Sequence, residues 1–211
     1  MKFRTLFIIA LILPSFFISA KNFKSQKRKE IFQMVEEMHK SVSESSWENV
    51  QFVDSSSFTQ FLYQKIFQIE IPRDSYSQYL ATKEGNNFRE SPRMVDGSHD
   101  ENSLKNLLEF GDLLFWINTY NGIPIERKPP VSMVMVYLGI SRTGEMLMVG
   151  WGKKGIGAHE KNGGIDIYKF YPNRLMGCIR DEEDNCVIEG DFLGYGRILS
   201  KEELMKKIEK N

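Results

Sequence analysis

Between Phe110 and Tyr171 the chain carries four short apolar runs separated by turn-forming residues, and this stretch constrains the fold more than any other. Leu113–Ile117 follows Gly111-Asp112. Val131–Leu138, rich in valine, lies between Pro129-Pro130 and Gly139. Glu145–Trp151 follows the turn Arg142-Thr143-Gly144, and Ile165–Tyr171 alternates between Gly164 and Pro172. Runs of this length, β-branched and aromatic in content, read as strands, and connections this short favour an antiparallel sheet.

The chain ahead of these strands reads as helical. Ile31, Met34, Val35 and Met38 recur at spacings of three, four and seven, marking one helical face after a basic arm, Lys21 to Lys29. Phe58, Phe61, Leu62 and Ile66 repeat the pattern, and Ser57 with Gln60 three residues on fits a capping box, which predicts a helix start there. Pro72 ends that region. Residues 82–103 are polar, with Gly85, Pro92 and Gly97, and predict a long surface excursion. Ser200 and Glu203 open a terminal amphipathic helix with Leu204 and Ile208 inward. Helices first and strands afterwards make an α+β protein, with N-terminal helices packed on an antiparallel sheet.

Residues 1–20 are expected to lie outside the fold. Lys2 and Arg4 precede an apolar run from Leu6 to Ile18, broken by Pro14 and Ser15 and closed by Ser19 and Ala20, the pattern of a secretory signal peptide cleaved near Ala20. A membrane span needs about 20 uninterrupted apolar residues, so we expect export and no membrane association after cleavage. The predicted organisation is a leader at 1–20, a basic arm and helix at 21–46, one domain at 47–198, and a C-terminal helix at 199–211.

Composition narrows the chemistry. The 28 basic and 28 acidic side chains balance, and loss of the leader removes two basic ones, which excludes a nucleic-acid binder by charge. Two cysteines, Cys178 and Cys186, flank the acidic run Asp181 to Asp184. In an exported protein a local disulfide is the expectation, with two free thiols as the alternative. Three histidines, His39, His99 and His159, lie in three separate segments without ligand spacing, so no metal site is expected, and each reads first as a surface residue. The glycine-rich stretch 152–164 does not open a helix after a strand, so it does not read as a phosphate loop, and no cofactor is expected.

Four segments stand in a recognisable order: Asp54-Ser55-Ser56-Ser57-Phe58, then Ile71 to Gln78, then Phe110-Gly111-Asp112-Leu113-Leu114-Phe115-Trp116, then Val131 to Gly139. Together they resemble the NlpC/P60 family of papain-like hydrolases, which cut peptides of bacterial cell walls. The resemblance spans roughly Trp47 to Tyr171 and implies a papain-like fold. The family opens its helix with Asp-Cys-Ser-Gly, whose thiolate is favoured by the helix N-terminus. Its nucleophile position falls on Ser55 here, and its histidine base, in the motif Ser-His-Val-Gly-Ile-Tyr-Leu-Gly, falls on Met133. The third polar position falls near Val149 and Gly150. A serine hydroxyl needs an adjacent base, and a thioether cannot supply one.

The resemblance therefore implies a noncatalytic relative binding wall peptide (peptidoglycan) or a cell-envelope protein. Asp54, the family's acid beside the nucleophile, is expected to hold a ligand amine, with Arg73, Tyr76 and Trp116 edging a groove. The alternative is an active hydrolase in which Ser55 works with a relocated base such as His159. The segment Asn121 to Pro130 is either a contact loop beside that groove or a long exposed connection.

Overall fold

The computed structural model describes residues 22–39, 54–152 and 164–198. The expected leader, the glycine-rich stretch with His159 and the expected C-terminal helix lie outside the described residues. The chain divides into two compact units, Met1–Met34 with Leu199–Asn211 and Val35–Ile198. Helix α1, residues 22–39, takes in nearly all of the basic arm expected to precede it, and Ile31 and Val35 are its buried positions.

The larger unit is built on a six-stranded antiparallel sheet of spatial order β1-β8-β2-β3-β4-β5. The strands are β1 (Phe88–Glu90), β2 (Leu113–Ile117), β3 (Val131–Ile140), β4 (Met146–Gly152), β5 (Gly164–Lys169) and β8 (Asp191–Gly196). A separate hairpin joins β6 (Cys178–Arg180) to β7 (Cys186–Glu189). Four strands match the expected runs to within two residues at either end. The α+β class with an antiparallel sheet holds.

Strand alternation sends apolar side chains to both faces. Toward α2 (Ser55–Leu62) and α3 (Ser75–Glu84) the sheet presents residues such as Phe115, whose ring meets Tyr79 of α3 at 5.8 Å. On the opposite face Leu114, Trp116, Met135, Tyr137, Met148, Tyr168, Phe192 and Tyr195 form one cluster with Leu104 and Leu108 at the end of α4 (Glu101–Leu107). Two layers of burial explain why the central strands are apolar throughout rather than alternating with polar residues.

Local chemistry sets the helix starts. Asp54 is the N-cap of α2, accepting the Ser57 N–H at 2.8 Å while the Ser57 hydroxyl side chain accepts the Asp54 N–H. The capping pair is thus Asp54 and Ser57, and the helix begins ahead of the expected Ser57. Gln60, expected in that box, instead donates to the Ile71 carbonyl at 2.8 Å. A π-helical turn, Tyr63–Phe67, ends in Gln68 with left-handed backbone. Tyr63 reaches across to donate to the Gly111 carbonyl, and Gly111 itself needs φ +91° to turn the chain into β2.

The expected surface excursion at 82–103 is corrected. It holds the end of α3, β1 and the start of α4, and it buries Ser91 and His99. Asp112, directly before β2, is buried and takes a two-point pair from Arg197 at 2.8 and 3.0 Å, tying the start of β2 to the end of β8.

Candidate functional site

The start of α2 meets β3 beside a cavity of about 310 Å³, lined by Asp54, Ser55, Thr119, Tyr120, Ser132, Met133, Trp151, Gly152, Leu175, Met176 and Gly177. The fold therefore brings the nucleophile position and the base position of the sequence reading to one cavity. Ser55 sits at the first position of α2, and its hydroxyl oxygen accepts a long hydrogen bond, 3.5 Å, from the Val134 N–H. Met133 is half-buried and packs against the sheet's core cluster. A thioether beside a serine hydroxyl offers no proton acceptor of useful strength. Among the described residues, no histidine, lysine or carboxylate hydrogen-bonds to the Ser55 side chain.

Asp54 also lines the cavity, but its carboxylate is already satisfied. Its Oδ1 accepts from the Ser56 hydroxyl (2.8 Å), the Ser57 N–H (2.8 Å) and Arg73 Nη1 (3.1 Å), while Oδ2 accepts from Arg73 Nη2 (3.2 Å). Partial burial pushes this carboxyl up, yet the hydrogen bonds from Arg73, Ser57 and Ser56 outweigh it and hold the group below its ordinary range. The amine-holding role expected for Asp54 is thus taken by a side chain of the protein itself.

The other expected groove residues are placed differently. Arg73 is spent on Asp54 and Ser56. Tyr76 lies outside the cavity lining, with the Arg127 guanidinium 5.5 Å over its ring, while Arg127 also pairs with Asp74 at 3.3 Å. This pins part of the 121–130 segment to the start of α3. Trp116 is fully buried in the core cluster, not at an edge of the cavity, because its register on β2 turns it to the face opposite α2 and α3.

Side chains that sequence reasoning did not single out complete the cavity. Thr119 donates to Ser132 Oγ from both its N–H and its hydroxyl, each at 2.9 Å. Gly177, at φ +78°, presses against the Thr119 carbonyl so closely that a Cβ there would fall 2.2 Å from it. Close approach of backbone to backbone, rather than any motif, fixes this wall. Asn121 strengthens it by exchanging two hydrogen bonds with the backbone of Arg180, at 2.8 and 2.6 Å. The one usable signal in sequence was that Ser132 immediately precedes the base position.

Two histidine readings are corrected. His39 is nearly buried, with Nε2 3.7 Å from the buried carboxylate of Asp166. His99 is 4% exposed, its Nδ1 2.7 Å from Ser91 Oγ and its Nε2 3.0 Å from Asp191 Oδ1, with Arg93 on the other Asp191 oxygen. This is the connectivity of a serine triad without its surroundings. The Ser91 N–H is spent on the Leu193 carbonyl, and Pro92 has none to give an oxyanion. The network instead fastens residues 91–99 to β8.

Cys178 and Cys186 are both free thiols on the β6–β7 hairpin, the alternative to the expected disulfide. Cys186 is pushed up to about 11, chiefly by its hydrogen bond with Cys178. Among the described residues no group of acidic, histidine and cysteine side chains is arranged to hold a metal, and no helix is long and apolar enough to cross a membrane. In comparisons with known proteins, no family model, no curated protein and no solved structure matches the chain.

Proposed function

We propose that this protein is an exported, noncatalytic domain of NlpC/P60 type that binds bacterial cell-wall peptide in the cavity at the start of α2. The observation that carries the reading is the pairing of Ser55 with Met133 in one cavity, where the Ser55 oxygen takes a hydrogen bond from the Val134 N–H. A serine nucleophile requires a base within hydrogen-bond reach, directly or through one water. The order of Asp54-Ser55, Gly111-Asp112 and Ser132-Met133 along the chain supports the family resemblance, and the α2-on-sheet arrangement is compatible with it.

The test is a pair of measurements on the purified protein. Muropeptides incubated with wild type are expected to come back uncut, and calorimetry is expected to register their binding. Release of fragments that is lost in Ser55→Ala would overturn the reading in favour of a serine hydrolase, and loss in His159→Ala as well would identify the relocated base.

A further inference from the structure

The cavity's walls and its hydrogen-bonding capacity point to one kind of ligand group. Met133, Trp151, Leu175 and Met176 make it largely apolar. The one carboxylate among its described lining residues, Asp54, is neutralised by Arg73 in a two-point pair, which leaves it little unbalanced negative charge to attract an amine. A volume of about 310 Å³ has room for roughly ten water-sized groups, at about 30 Å³ each.

The hydroxyls decide the polarity of what fits. Ser132 is 8% exposed, and its Oγ accepts two hydrogen bonds from Thr119. A hydroxyl oxygen has two lone pairs, so both are engaged and only the O–H is left to bond. Ser55 Oγ accepts once, from the Val134 N–H, which leaves it one lone pair and its O–H. Among the described residues neither hydrogen has an acceptor. The N-terminal end of α2 adds partial positive charge on the same side through Ser55. Apolar walls with unspent hydroxyl hydrogens on Ser55 and Ser132, beside the positive end of α2, suit a ligand that is aliphatic along its length and ends in an acceptor oxygen.

We infer that the cavity binds an aliphatic acyl group, its chain against Met133, Leu175 and Met176 and its oxygen taking hydrogen bonds from the Ser55 and Ser132 hydroxyls. The inference rests on the noncatalytic reading of this site and deepens it: the part of a ligand that enters is an acyl oxygen and its chain, not a free amine. Both a free fatty acid and an acyl group in amide linkage carry this chemistry.

Calorimetry with the full chain tests it, using octanoate, octanoyl-glycinamide and octylamine. Octanoate or octanoyl-glycinamide is expected to bind, with octylamine at least about tenfold weaker, since an ammonium finds the Ser132 oxygen engaged, Asp54 already neutralised and the positive end of α2 beside it. The tighter of the two acyl probes tells free acid from amide-linked acyl. Ser132→Ala is expected to weaken the acyl probe by about tenfold. Leu175→Ser, at a half-exposed position that does not hold the core, is expected to weaken it severalfold and keeps the test valid if Ser132→Ala misfolds. Octylamine binding as tightly as octanoate, absence of acyl binding, or acyl binding unchanged in both variants would overturn the inference. Wall-peptide binding that persists without acyl binding would sink this inference alone. Muropeptide cleavage with acyl binding intact would sink only the noncatalytic reading.

Discussion

Two aspartate–arginine pairs of nearly the same geometry do opposite things in this protein. Asp112 and Arg197 meet at 2.8 and 3.0 Å, and Asp54 and Arg73 at 3.1 and 3.2 Å. The side chain of Asp112 is 1% exposed and that of Asp54 49%. Burial dominates at Asp112 and pushes its carboxyl up despite Arg197, whereas at Asp54 the hydrogen bonds win and the carboxyl is held down. Charge pairing therefore serves architecture in one place, joining β2 to β8, and in the other sets the polarity of a cavity. Solvent access, not pair geometry, decides which.

The sharpest way to break this comparison is to remove each arginine. Arg197→Ala strands a buried carboxylate and should cost about 3–5 kcal/mol in urea unfolding. Because Asp112 titrates higher when folded than unfolded, its protonated form favours the native state. The deficit of Arg197→Ala should therefore be fully present at neutral pH and shrink as the pH is lowered into the carboxylate range, where Asp112 takes up its proton. A loss below about 1 kcal/mol would show that the buried pair is no keystone.

Smaller effects sharpen the other side. Gly177→Ala, forced against the Thr119 carbonyl at a positive φ, should cost about 1–3 kcal/mol and distort the cavity wall, read as weakened ligand binding together with a lowered unfolding midpoint. Asp54→Ala removes the cap of α2 and should cost about 1 kcal/mol. Arg73→Ala, losing a half-exposed pair, should cost less than about 1 kcal/mol, yet it frees the Asp54 carboxylate and should improve octylamine binding. The sign of the pH effect reverses here. Asp54 is depressed when folded, so its contribution is present above its unfolded value of 3.8 and lost as the pH falls through its folded value. Arg73→Ala should flatten that acid limb, measured as the unfolding midpoint against pH.

Much of the sheet was legible because β2 to β5 are runs of β-branched, aliphatic and aromatic residues between glycines and prolines. Strand β8 was not: Asp191–Gly196 reads Asp-Phe-Leu-Gly-Tyr-Gly, with two glycines and a charge, and its place between β1 and β2 comes from pairing across more than seventy residues. The polarity of residues 82–103 also misled, since Ser91 and His99 are buried by satisfying one another and Asp191 rather than by being apolar. Asp54, Ser55 and Met133, singled out in the sequence by motif order, line one cavity. Trp116 does not, because strand register sends it to the far face.

By itself the sequence determined the α+β class and four of the six main-sheet strands, since hydrophobic period and helix capping are local. Only the tertiary structure decided that Arg73 closes on Asp54, that Thr119 and Gly177 wall the cavity, and that Ser132 keeps an unspent hydroxyl hydrogen. Those facts depend on which distant backbones approach closely enough to exhaust one another's hydrogen bonds, and no local pattern records that.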